Sequence, residues 1–380
     1  MDLTTEVYNY RDIVSGHPHF NAAYRNLRRA IRHAPIGNLI FLYGPTGVGK
    51  STLLKHSMRE ILIESAEETS ANPSILPIVR IELDYSDSHK FSWIEFYRSG
   101  LKALQEPLVD KKLKNVPTRL KLDLLTNNLE TRAPGHALKA AFISALSKRN
   151  VKVLLLDEAH HMAKGFEGGK LVGQLEYLKS LANKNNIIIV LAGTYDLISF
   201  RNLSGQLSRR SIDVHFPRYR TEIKEDNVKF RKIIKAFSGQ SPLVWDAEIL
   251  NNVLYLYTYS VGCVGILKNW IDKAHLAALD NKAETLSLEH FKSAELSIVQ
   301  LKKITDELVA GEKSLKPQEN DLELIQVLLG INAQFTPENE TAGTELMSAK
   351  PTAIVKAKRK QVGIRNAKRD LIGKRENEIS

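Results

Sequence analysis

Eight residues, Gly44-Pro45-Thr46-Gly47-Val48-Gly49-Lys50-Ser51, spell a complete phosphate-binding loop and limit what this chain can fold into. They follow the apolar run Leu39 to Tyr43, which reads as a short buried strand. They precede Thr52-Leu53-Leu54-Lys55-His56, which opens a helical pattern. At such a strand-to-helix turn, glycines let the backbone wrap a phosphate chain, and free N–H groups at the helix start point at the anion. Gly44 to Thr52 are therefore the expected nucleotide contacts. Lys50 reaches the β- and γ-phosphates, and the Ser51 hydroxyl holds Mg²⁺. The implied cofactors are ATP and Mg²⁺.

A phosphate loop alone only binds, and hydrolysis needs a second strand bearing carboxylates. Val151 to Leu156 is such a strand and ends in Asp157-Glu158. Asp157 is expected to hold Mg²⁺ through water, and Glu158 to orient or deprotonate the attacking water. Two carboxylates at a buried strand end are costly unless a metal or donors satisfy them. His160 and His161 are set aside as a metal pair, since adjacent residues point different ways and no third ligand is spaced to join them. Asp157-Glu158-Ala159-His160 also spells the tetrapeptide of a helicase class, but no second nucleotide-binding-like domain follows residue 220. Ile187 to Ala192 reads as a fourth strand ending at Gly193-Thr194. There Thr194 either senses the γ-phosphate or water, or simply caps the strand end. Arg209 and Arg210 precede a fifth strand, Ile212 to Phe216. An arginine there either faces a neighbouring subunit's nucleotide and neutralises transition-state charge in trans, or belongs to a solvated basic turn. The sequence does not choose between the two arginines.

Strands alternating with helices imply a parallel sheet covered on both faces. Helices are expected at 21–32, 93–108, 135–146 and 171–183. After Arg220 the pattern is helical only. The expected division is a lead-in (1–20), an α/β nucleotide-binding domain (21–220), a helical lid (221–303) and a polar linker with a basic arm (304–380). The net charge of +11 points to a polyanionic partner. Residues 346–380 carry ten Lys/Arg against three Asp/Glu, whereas 301–345 carry four against nine. The single cysteine, Cys263, excludes an internal disulfide and a cysteine-based zinc site and reads as a small buried residue. No apolar stretch is long enough to span a bilayer, and no signal peptide pattern opens the chain, so a cytoplasmic location without membrane contact is expected.

Phosphate loop, Asp-Glu strand, sensor threonine, paired arginines and a helical lid together resemble an AAA+ ATPase. More narrowly, Leu191-Ala-Gly-Thr194 followed by Leu207-Ser-Arg-Arg-Ser-Ile-Asp-Val-His-Phe-Pro-Arg-Tyr219 resembles the TnsC/TniB group of transposition regulators, relatives of MuB. The resemblance spans about residues 20 to 300. It implies a P-loop AAA+ core with a parallel five-stranded sheet, then a small helical lid and a basic C-terminal extension. It also implies a homo-oligomer, ring or helical filament, on duplex DNA, which recruits transposase and target-selection proteins. Origin and helicase loaders share most of these motifs, and a nucleotide-gated scaffold with negligible hydrolysis is a further alternative. Several relatives carry an arginine where Ile266 stands, and Lys268 is the nearby basic residue assigned to the nucleotide. Relatives place duplex-backbone contacts near Lys90. Lys111, Lys112, Lys114 and Lys121 form a second candidate set of DNA-binding positions, or else, like Lys90, belong to a merely solvated charged surface. Phe91 and Trp93 are apolar at a spacing that favours core packing over base stacking.

Overall fold

The computed structural model describes residues 6, 7, 10, 16–83, 91–107, 109, 133–163, 169–203, 205–316 and 321–331. Lys90, Lys111, Lys112, Lys114, Lys121 and the basic arm lie outside them.

The expected five-stranded parallel sheet is present. Its strands are β1 (Leu39–Tyr43), β2 (Ile78–Glu82), β3 (Val153–Asp157), β4 (Ile188–Gly193) and β5 (Ser211–His215), in the order β2-β3-β4-β1-β5. Every residue of β1, β3 and β4 is buried, which is why these strands read as unbroken apolar runs. The pleat deals them to two cores. Leu39, Phe41, Leu154, Leu156, Ile189 and Leu191 face one side, while Ile40, Leu42, Val153, Leu155, Ile188 and Val190 face the other. β2 starts one residue after Pro77, whose missing N–H ends the ladder; the Pro77 carbonyl still accepts from the Val153 N–H at 3.0 Å.

Helices α1 (Pro18–His33), α2 (Lys50–Glu64), α3 (Trp93–Ala103), α4 (Ala133–Lys148) and α5 (Gly169–Asn185) accompany the sheet. Phe91, Phe96 and Tyr97 are core residues, and Trp93 stands edge-on to Tyr177 at 4.7 Å. α1 starts three residues before its expected start because His17 caps it, Nδ1 accepting from the Phe20 N–H at 3.3 Å, with Pro18 as first helical residue.

Apart from the two sheet cores, a lid core collects Phe230, Ile234 and Phe237 from α6 (Lys224–Gly239) with Leu267, Trp270 and Ile271 from α7 (Val264–Asp280). The helix α8 (Ile298–Ser314) continues well past residue 303, the expected end of the lid. It is held there by Glu312, which accepts from Arg218 Nε at 3.0 Å and Nη2 at 3.3 Å. Residues 318–380 form a separate unit, in which the helix Asp321–Leu328 is described. No helix among the described residues is long and apolar enough to cross a membrane.

Two buried imidazoles make the fold acid-sensitive. Burial lowers His17 to about 3 and His275 to about 4. The His17 ring already accepts from the Phe20 N–H and meets the Tyr219 hydroxyl at 2.9 Å, so it has no room for a second proton there. Unfolded histidine takes its proton near pH 6.5. Both groups are depressed in the folded state, so their stabilisation is complete above about pH 6.5 and is lost as pH falls towards 4. The slope is at most about 1.4 kcal/mol per pH unit for each histidine. The urea midpoint is expected to drop between about pH 7 and pH 5, and a flat midpoint would contradict this assignment.

Candidate active site

The loop after β1 turns on two residues that only glycine adopts freely, Gly47 (φ +73°) and Gly49 (φ +111°). Gly49 is the N-cap of α2, so the first N–H groups of that helix open towards the loop. Lys50 is only 7% exposed, and its Nζ donates to the carbonyls of Gly44 (3.0 Å) and Pro45 (2.8 Å). Burial pushes its pKa down, since an ammonium held by neutral carbonyls is poorly compensated. A phosphate in the loop reverses that balance, and so the loop fits a nucleotide.

β3 delivers Asp157, which is fully buried. Its Oδ1 accepts from the Glu158 N–H at 3.0 Å, and its Oδ2 accepts from Arg80 Nη2 (2.7 Å) and Nε (3.2 Å). Arg80 also donates to Glu82 at 3.0 Å. Sequence reasoning missed Arg80. The signal was a lone arginine inside the apolar run Ile78 to Ile81, where a charge requires a partner. Ser51, and Asp157 through water, would hold Mg²⁺; an all-oxygen donor set suits that hard cation.

Glu158 follows in the left-handed region, at φ +53°, a conformation strained for any residue but glycine. The turn brings Glu158 to the wall of one cleft together with Lys50, Ser51 and Thr194. Burial raises its pKa, and the neighbouring Asp157 raises it further. The expectation that His160 and His161 lack a third ligand needs correction. The strained turn makes Glu158 that partner, with the donor atoms of Glu158, His160 and His161 all within 4.8 Å of one another. Spacing along the chain could not reveal this, because it depends on the left-handed turn and the 3-10 helix Ala159–Ala163 that follows.

Thr194 lines the same cleft while its hydroxyl donates to Asp196 at 3.1 Å, so capping and a place at the site coexist. The cleft encloses about 470 Å³, the size of a small-ligand site. His17, Phe20, Phe237 and Val264 give it an apolar wall suited to a base. Cys263 is buried, and burial pushes its thiol up to about 12.

The lid closes directly on the phosphate loop. The Ile266 N–H donates to the Gly47 carbonyl at 3.1 Å, so Ile266 packs against the loop itself. Lys268 reaches the cleft and is paired with Asp272 at 2.5 Å. A Cβ at Gly265 would stand 2.4 Å from the Gly47 carbonyl oxygen, a backbone atom with little freedom to yield. Gly265→Ala is therefore expected to cost about 1–3 kcal/mol of the closed arrangement and to weaken nucleotide affinity roughly 5- to 100-fold. Titration with a fluorescent ATP analogue checks this, and an unchanged Kd would contradict the clamp.

The structure thus gathers the phosphate loop, Glu158, Thr194 and Lys268 around one cleft, with Asp157 buried at the end of β3 behind it. Arg209 and Arg210 stand elsewhere. Arg209 ends the short helix Gly205–Arg209, both are exposed, and the Arg210 carbonyl accepts from the Leu39 N–H at 3.2 Å. They sit where β1 begins, whereas the phosphate loop sits where it ends.

Residues 37–199 match the family described as AAA domain. No curated protein matches the chain by sequence. Among solved structures, the Aeropyrum pernix ORC1 protein in complex with DNA shares 17% identity at a TM-score of 0.50, covering 84% of this chain and 73% of that one. The Aeropyrum pernix ORC2 protein in ADPNP–ADP complexes shares 15% identity at 0.45, covering 76% and 72%. The Thermotoga maritima RuvB Holliday junction branch migration motor shares 14% identity at 0.38, covering 83% and 81%. The fold is the AAA+ P-loop fold.

Proposed function

We propose that this chain is an ATP-hydrolysing regulator of transposition that assembles as a ring or filament on duplex DNA and recruits a transposase. The convergence of Lys50, Ser51, Glu158 and Thr194 on one lid-closed cleft carries the hydrolytic part. Lys50 holds the phosphates, Glu158 orients or deprotonates the attacking water, and Thr194 contacts the γ-phosphate or that water. Mg²⁺, when bound, neutralises charge on the β- and γ-oxygens. Arg209 or Arg210 of one copy completes the site of the next, so that assembly and nucleotide state are one coupled equilibrium. The basic balance supports a DNA partner, and the segments 191–194 and 207–219 support the transposition reading. The basic arm contacts either DNA or the transposase.

Negative-stain electron microscopy of the chain with duplex DNA and a non-hydrolysable ATP analogue tests the proposal. Rings or filaments that need both ligands, and that retain the transposase of the same element, are expected. Monomers on DNA, or assemblies that retain a replicative helicase instead, would overturn the transposition role.

A further inference from the structure

The helix α1 carries Arg25, Arg28, Arg29 and Arg32 and no acidic residue. Their spacing, i, i+3, i+4 and i+7, puts all four on one side of the helix, away from Phe20, Ala23, Leu27 and Ala30, but Arg28 is itself buried where it meets Glu64. Arg25, Arg29 and Arg32 are exposed and, with Tyr24, border an open groove of about 450 Å³. Among the described residues, Glu64 of α2 is the one acid lining that groove. It is already engaged by Arg28 and, at 3.4 Å, by Arg32. Arg25 and Arg29 make no ion pair among the described residues. Like charges three and four residues apart destabilise a helix, so this row stands against local stability.

We propose that this face holds the phosphate backbone of duplex DNA, with Glu64 as a built-in competitor for two of its four arginines. The inference rests on the DNA-binding reading above and assigns it a surface. Guanidinium forks match phosphate oxygens in pairs. Arg25 to Arg32 spans about 10 Å along the helix axis, close to three base-pair steps of about 3.4 Å. An acidic protein partner fits less well, because protein interfaces centre on apolar anchors and this face offers one tyrosine among arginines. Contacts of this kind are independent of sequence and sensitive to salt.

Fluorescence anisotropy of a labelled duplex, titrated with the full chain across a salt series, tests the assignment. Arg25→Ala/Arg29→Ala is expected to weaken binding about tenfold and to flatten the salt slope by about 1.8, two contacts at 0.9 each. Glu64→Gln is expected to tighten binding several-fold by removing a negative charge from this face and releasing the exposed Arg32, a gain that misfolding cannot mimic. Both variants should keep wild-type affinity for a fluorescent ATP analogue. If wild type binds DNA but the double variant matches it in affinity and slope, or Glu64→Gln brings no gain, the surface is wrong while the DNA reading stands. If wild type does not bind DNA, both fall.

Discussion

Alanine at both Arg209 and Arg210 is expected to lower ATP turnover of the assembled protein about 10³–10⁵-fold, the range for an arginine supplied to a phosphoryl-transfer site in trans. Leu39 pairs with Ser211 and Tyr43 with His215, so β1 and β5 run side by side from the arginines to the phosphate loop. Four residue steps along a strand cover about 13 Å, which places the arginines at the opposite edge of the sheet from their own nucleotide. Both side chains are exposed, and neither lines the cleft of its own chain. The proposal therefore predicts complementation. A Lys50→Ala chain and an Arg209→Ala/Arg210→Ala chain should each be nearly inactive alone. Mixed, they should recover turnover, because the first supplies arginines to the intact phosphate loop of the second. Full activity of the double variant, or loss without complementation, would contradict a shared site.

Glu158→Gln should reduce turnover about 10²- to 10⁴-fold, the range for a lost general base, while nucleotide binding persists. Glutamine keeps the shape and the strained turn but cannot accept the proton. The pH dependence gives a separate signature. Burial first and Asp157 second raise the Glu158 pKa, so the acid limb of the wild-type rate profile should lie above the ordinary glutamate range. Turnover is lost as pH falls through that raised value, because protonation removes the base. The glutamine variant should lack this limb. Single-turnover rates across pH check both points; a variant within tenfold of wild type that retains the limb would assign catalysis to another group.

Much of the site was legible in the sequence because its residues are short-range signals. The glycines of the phosphate loop, the Asp157-Glu158 pair and Thr194 all stand at ends of apolar strands, and strand ends are easy to find. Element ends were less legible. α1 begins early because a histidine caps it, and α8 runs on because Arg218 holds a glutamate 94 residues away. The missed contacts share that long range. Arg80 meets Asp157 across 77 residues, and the lid backbone meets Gly47 across more than two hundred. No periodicity encodes such pairings. They exist only once the sheet sets β2 beside β3 and the lid core carries α7 over the loop. The association of Glu158 with His160 and His161 was missed for a local reason, a left-handed turn at a residue that spacing alone treats as ordinary.

The decisive experiment is ATP turnover per chain, measured against protein concentration with and without duplex DNA. A nucleotide site completed by its neighbour predicts turnover that is near zero in dilute protein, rises steeply with concentration, and shifts to lower concentration when DNA gathers the subunits. Turnover per chain that is independent of both concentration and DNA would contradict that claim and leave a self-sufficient nucleotide switch.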